Sequence, residues 1–260
     1  MQAHRPAEYL CSMIRSLCAL ILAATLAGCS KSAVVWSDVV HRGAPQEPPE
    51  SVRNVAPPVV TGCEATLRIA TDGESTFAAW FATRRDSSVM LMTARSMNGG
   101  AWSRPVVADS SDRGTRGCGR PAPAIAADSI SRYVHLAYFI EPAGGGVFFA
   151  HSMDSGATFH AAVPIVFGNN PSRTSVAASG DRVVVAYEDP NSQQPLIGLA
   201  LSKTMGHLFE KRVIASTEYD RAREPVVRVT RDSIRVWWSE YSQNPEVSAT
   251  RPMYRAGLWK

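Results

Sequence analysis

An eight-residue phrase returns three times along this chain at close to a fifty-residue interval, and this recurrence limits the architectures open to it more than any single residue does. Ser152–Phe159 reads SMDSGATF, Ser96–Trp102 reads SMNGGAW (one residue shorter), and Ser202–Phe209 reads SKTMGHLF. Each copy runs from a serine through a small polar residue and a glycine to an aromatic, and the copies start 56 and 50 residues apart. Self-similarity at this period belongs to propellers and other stacked arrays, in which one unit cannot bury its apolar face without a neighbour.

The repeating unit is larger than the phrase. Short apolar runs precede each copy: VMLMTAR at 89–95, VFFAH at 147–151 and LIGLAL at 196–201. Before them lie TFAAWFA, YVHLAYFI and RVVVAYE, and earlier still ATLRIA, APAIAA and TSVAA; after each copy comes WSRPVVA, FHAAVPIV or FEKRVIA. Runs of this length, rich in β-branched and aromatic residues and separated by Gly, Asp, Asn and Ser, are strand chemistry. Four strands per unit, A to D, predict an all-β, propeller-like array of four-stranded blades.

A fourth unit begins at EPVVRV (224–229) and continues through SIRVWWSE (233–240) to PMYRAG (252–257), which leaves it without a strand D. The segment WSDVV (36–40) resembles WSRPVV (102–107), so residues 34–40 are expected to supply the missing strand and close the ring, covering an edge of unpaired backbone groups. The proline-rich stretch 43–58 then reads as a connector into the repeats at 59–260.

Residues 1–28 read as a lipoprotein signal and 29–33 as a tether, with the propeller-like domain over 34–260. Arg5 and Arg15 precede the apolar run LCALILAATLA (17–27), which is too short for a good membrane span. LAGC (26–29) resembles the bacterial lipobox, which implies cleavage before Cys29, acylation of that residue and a membrane partner held through the lipid. Ser30 at the following position implies the outer membrane of a Gram-negative envelope.

A chain with 45% hydrophobic and 19% charged residues can build a core and is not a disordered tail. Cleavage removes Arg5, Arg15 and Glu8, so the formal charge of +4 falls by one. The remaining charge is spread along the chain and gives no nucleic-acid footprint. Cys11 and Cys18 leave with the signal. Cys63 and Cys118 remain, each just before a strand A in neighbouring blades, and in an oxidising compartment they are expected to form a disulfide. No Cys or His pair has ligand spacing, so neither a metal nor a cofactor is expected.

The phrase itself, matched by Ser152, Asp154, Gly156 and Phe159, resembles the Asp-box of the sialidase-like propellers, the bacterial neuraminidase repeat; Asn98 and Thr204 replace the Asp in the other copies. The resemblance implies a C–D turn with a structural role. It also implies that chemistry belongs on the opposite rim, where Arg120, Arg173 and Arg223 lie near the starts of strands A. Glu188, Glu240 and Tyr241 follow the B strands. Arginine forks suit carboxylates, so these six residues are the expected ligand-binding set. Sialidases hold an acidic sugar with three arginines and attack it with a Tyr–Glu pair, for which Tyr254 and Glu240 are the thin candidates. The arginine-isoleucine-proline motif is absent, since Pro-Ala-Pro follows Arg120. Non-catalytic recognition of a glycan, an envelope ligand or a protein partner is therefore the first expectation. An exo-glycosidase of sialidase type and a structural envelope assembly factor are the alternatives.

Overall fold

A computed structural model describes residues 33–44, 58, 60, 62–141, 144–217, 221–241 and 250–260. The expected signal with Cys11 and Cys18, the expected acylation position Cys29, most of the expected tether and most of the 43–58 stretch lie outside the described residues.

The described chain is all β. Strands β1 (Val34–Trp36) and β2 (Val40–His41) come first. The first blade is β3 (Cys63–Thr71), β4 (Thr76–Thr83), β5 (Val89–Ser96) and β6 (Val106–Asp109). The second is β7 (Ala124–Ala127), β8 (Val134–Ile140), β9 (Gly146–Ser152) and β10 (Val163–Phe167). The third is β11 (Thr174–Ser179), β12 (Arg182–Glu188), β13 (Ile197–Ser202) and β14 (Lys211–Ile214). The fourth holds β15 (Arg221–Thr230), β16 (Ser233–Tyr241) and β17 (Thr250–Trp259), and its sheet order is β15-β16-β17-β1, with β2 also paired to β17. This is a four-bladed β-propeller built of antiparallel meanders. The N-terminal strand takes the outer place in the last blade, in register Val34↔Trp259 to Trp36↔Gly257.

The burial pattern explains the sequence pattern. The second strands of the first three blades, β4, β8 and β12, are buried along almost their whole length: the second and third blades each lie between two others, and on the first Ala78 and Trp80 pack against Val60, Leu67, Met92 and Trp102. Hence they read as continuous apolar runs and not as alternating ones. Between the first and second blades, Ala79, Phe81 and Leu91 meet Leu136, Tyr138 and Ala150. Between the second and third, Phe139, Val147 and Phe149 meet Val176, Val183 and Val185. A disulfide joins Cys63 to Cys118 with Cα atoms 5.1 Å apart, tying the first blade to the segment that leads into the second. Closing a loop of 55 residues in this way contributes about 4 kcal/mol in the chain-entropy model.

The Asp-box forms the C–D turn. Ser152 Oγ accepts from the Gly156 N–H at 2.8 Å and donates to Asp154 Oδ1 at 2.7 Å, while Asp154 accepts from the Thr158 N–H and hydroxyl at 2.9 and 2.7 Å. Burial opposes ionisation of Asp154, but the bonds from Thr158, Ser152 and Ala157 outweigh it and take the carboxyl down to about 2. The third copy repeats the turn with a hydroxyl: Thr204 Oγ1 accepts from the Leu208 N–H at 2.9 Å, and Ser202 Oγ accepts from the Gly206 N–H at 3.0 Å. Gly206 has φ +89°, and a Cβ there would fall onto the buried Phe149 ring of the preceding blade, so glycine is required twice over. The shortened first copy differs, with Ser96 Oγ donating to the Gly100 carbonyl at 2.5 Å.

Beside these turns the second and third blades bring four histidines and Tyr133 together. The His151 ring lies 4.9 Å from His160, 4.5 Å from His207 and 6.4 Å from His135. His135 is fully buried and neither ring nitrogen has a hydrogen-bond partner; His151 is buried with Nε2 likewise unpartnered. Burial, then the charge of His151, partly offset by Asp128, holds His135 down to about 3. Burial, then His207 and His160, holds His151 down to about 4. The unfolded chain, titrating near 6.5, therefore takes up protons that the folded chain refuses, and stability present above pH 6.5 is lost as the pH falls towards 4. Thermal melts are expected to show the midpoint dropping across that window, and His135→Leu to flatten the drop. A midpoint level from pH 7 to pH 4 would exclude this linkage.

Candidate functional site

The four innermost strands converge on one cavity of about 360 Å³, lined among others by Arg68 of β3, Ile125 of β7, Arg173 just before β11, Thr174 of β11, and Glu224 and Val226 of β15. Residues of every blade meet there, which makes it the mouth of the propeller's central channel. A second hollow of about 430 Å³ lies beside it, lined by Arg223, Glu188, Asp189, Asn170, Ser192 and Pro195.

Arg173 and Glu224 dominate the mouth. The Arg173 guanidinium lies 2.9 Å from Glu224 Oε1 and 3.9 Å from Glu188 Oε1, with about half of its side chain exposed. Glu188 is buried and accepts the backbone N–H groups of Glu224 at 2.9 Å and Arg173 at 3.4 Å. Glu224 stands at a bulge in β15 with φ +59°, a left-handed backbone that is strained for a residue with a side chain. Its carboxylate also accepts from Ser239 Oγ at 3.2 Å and from the Tyr241 hydroxyl. Burial first, then the Glu224 charge and this bond, raises the Tyr241 hydroxyl above its ordinary value, while Arg173 and Arg223 pull it partly back. Arg173, Arg223, Glu188 and Tyr241 thus form one neighbourhood centred on Glu224. The sequence reading did not single out Glu224; its only sequence mark is its place between Arg223 and Pro225.

Arg120 stands elsewhere. Its side chain is fully buried over the Phe81 ring at 5.6 Å. It pairs with Asp112, donates to the Gly117 carbonyl at 2.9 Å and lies 3.8 Å from Glu141. Asp112 in turn accepts from the Gly114 N–H at 2.8 Å and the Glu141 N–H at 3.0 Å. This arginine is a structural strut and not part of a clamp open to solvent, which corrects the expectation of three equivalent arginines. Glu240 is buried too, accepting from Trp238 Nε1 at 3.1 Å and Thr217 Oγ1 at 3.3 Å. Tyr254 pairs in register with Trp237, and Glu240 with Arg251, so Glu240 and Tyr254 project from opposite faces of the fourth sheet. They cannot act as a Tyr–Glu pair. Among the described residues no group of three or more His, Cys, Asp or Glu side chains could hold a metal ion.

No family model matches the chain, and no curated protein matches it. Solved structures do. A protein of unknown function from Dyadobacter fermentans superposes with a TM-score of 0.54 at 14% identity, over 73% of this chain and 52% of its own. The α-L-arabinanase of Penicillium chrysogenum, complexed with arabinobiose, gives 0.53 at 17% identity, over 72% and 61%. The α-L-arabinofuranosidase of Fusarium graminearum, with an iminosugar inhibitor, gives 0.51 at 14%, over 75% and 63%. The chain therefore spans a little over half of the length of the structures it resembles. At these identities the likeness establishes a shared propeller fold.

The two kinds of arginine have different expected fates on substitution. Arg120→Ala leaves Asp112 buried without its partner, and thermal or urea unfolding should show a loss of about 3–5 kcal/mol. Arg173→Ala removes a surface pair and should change stability by less than about 1 kcal/mol. Equal losses at both positions would contradict the distinction.

Proposed function

We propose that this chain is a lipid-anchored propeller of the bacterial cell envelope that recognises an acidic glycan at the channel mouth without hydrolysing it. One observation carries the binding reading: Arg173 is half exposed at the mouth, and its nearest partner, the Glu224 carboxylate, is itself nearly half exposed. An incoming carboxylate can take the place of Glu224 on Arg173, because an exposed pair contributes only about 0–1 kcal/mol. Charge-assisted bonds from Arg173 and Arg223 favour the exchange. That the ligand is a sugar is an analogy of fold, supported by the arabinanase and arabinofuranosidase that share the propeller. The non-catalytic reading is supported by the separation of Glu240 from Tyr254 on opposite faces of the fourth sheet.

Titration with N-acetylneuraminic acid tests this. Arg173→Ala and Arg223→Ala should each weaken binding by about 1.5–3 kcal/mol, and Glu224→Gln should strengthen it by removing the internal competitor. Binding indifferent to all three removes the channel mouth from consideration. Hydrolysis of a sialoside reporter by the wild-type chain, lost in Tyr241→Phe, would replace recognition with glycoside hydrolysis.

The envelope location rests on the LAGC motif at 26–29 behind its apolar run. Mass spectrometry of membrane-extracted protein should find Cys29 at the N-terminus carrying lipid, and Cys29→Ser should release the chain from the membrane. An unlipidated N-terminus elsewhere would end this part of the proposal.

A further inference from the structure

The place where β1 begins fixes the rim from which the N-terminal segment leaves the propeller. Val34 pairs with Trp259 at the end of β17. The Trp259 N–H donates to the Asp232 carbonyl at 2.7 Å, in the turn between β15 and β16. Lys203 of the third Asp-box turn donates to the Lys260 carbonyl at 2.6 Å. Val34 therefore starts on the Asp-box rim. The other end of β17, Thr250, pairs with Tyr241 at the level of the channel mouth. The Asp-box rim is continuous from blade to blade. The Gly180 N–H donates to Asp128 at 3.0 Å, the Arg231 N–H to the Ser179 hydroxyl at 3.4 Å, and Arg95 to the Asp154 carbonyl at 2.9 Å.

Only Ser30 to Ala33 separate Cys29 from Val34. Fully extended, that length of chain reaches about 18 Å. The ten residues of β17 rise about 30 Å from the mouth to the Asp-box rim. A lipid on Cys29 is thus within reach of the Asp-box rim and out of reach of the mouth. The rim is also apolar at its tips. Ile130, in the turn between β7 and β8, is 71% exposed, and Met97, Met153 and Leu208 of the three box turns are exposed too. Such turn positions ordinarily go to Gly, Asn, Asp or Ser. Beside Val34, Val35 and Leu258 are direct cross-strand partners, 46% and 55% exposed. Two of the rim's cations are paired on the rim itself, Arg132 with Glu74 at 3.2 Å and Arg182 with Asp232, so the surface asks for no particular headgroup charge.

We infer that the Asp-box rim is a membrane-docking surface: it lies against the leaflet that holds the acyl chains of Cys29, and the channel mouth opens away from that leaflet. The inference rests on the lipid anchor proposed above and not on the glycan. The short tether brings the rim to the bilayer. Ile130, Leu208 and the Val35–Leu258 pair then enter the headgroup layer, where exposed apolar side chains leave water. The mouth, a strand's length further out, stays open to a ligand that the membrane does not cover.

Fluorescence quenching tests this on the full chain, extracted from membranes and reconstituted in vesicles of phosphatidylethanolamine and phosphatidylglycerol that contain a nitroxide-bearing lipid. With Cys63 and Cys118 bonded and Cys29 acylated, an introduced cysteine is the thiol that takes the fluorophore. Leu258→Cys and Ile130→Cys report the Asp-box rim; Arg85→Cys and Gln193→Cys report the loops at the mouth. All four side chains are exposed, so each variant should keep the wild-type melting midpoint. Both rim labels should be quenched about threefold or more as strongly as both mouth labels. Equal quenching at the two rims, or stronger quenching at the mouth, overturns the inference. Quenching at Leu258 without Ile130 lays the side of the fourth blade on the bilayer and also overturns it. A chain that fails to float with the vesicles ends the anchor and this inference together, whereas one that floats with equal quenching ends this inference alone. Failure to bind N-acetylneuraminic acid leaves these outcomes untouched.

Discussion

The antiparallel pairing of Val34–Trp36 with the end of β17 is the constraint on which the fourth blade, and through it the channel mouth, depends. Without it β17 would be an edge of unpaired backbone groups, a liability that sheet proteins cover or close. The pairing buries Val34 and Trp259, and it leaves no room for a side chain at Gly257, whose added Cβ would run into Val34 and Trp36. A completed sheet holds β15 against β11, and only in that position does Glu224 of the fourth blade reach Arg173 of the third.

Much of this architecture was legible in the residues because it follows from local chemistry. The apolar runs of β4, β8 and β12 identify strands covered on both faces. The Ser152, Asp154, Gly156 and Phe159 spacing identifies a turn whose bonds are short-range. Thr204 reads as a degraded position, yet its hydroxyl makes the bond to the residue four further on that Asp154 makes in the intact copy. The pattern therefore marks a geometric need, one acceptor at one place, which two residue types can meet. The outer strand was legible only in part: in place of one strand over 34–40 the structure has Val34–Trp36 and a separate Val40–His41, both paired to β17, with Ser37–Val39 in neither.

The candidate site was less legible, since its residues differ in what meets them from elsewhere in the fold. Arg120 and Arg173 occupy equivalent places before their inner strands. Arg120 is met by Asp112 and Glu141 inside the protein, whereas Arg173 is met by exposed Glu224 from another blade. No local rule separates the two, because burial is decided by connections between blades. The positive φ at Glu224 is equally hidden: a residue before proline is steered away from the helical region, but nothing in Arg-Glu-Pro announces a left-handed bulge. The histidine cluster escaped for the same reason, its members arriving from β8, β9 and two separate turns.

Because β1 finds its partner in β17, it cannot take its place in the sheet until β17 has been made. While three whole blades form behind it, Val34, Val35 and Trp36 have no sheet to join. A short apolar strand waiting in this way is open to pairing with another chain. A molecule interrupted before β17 keeps β1 without its partner, and one that includes β17 covers it.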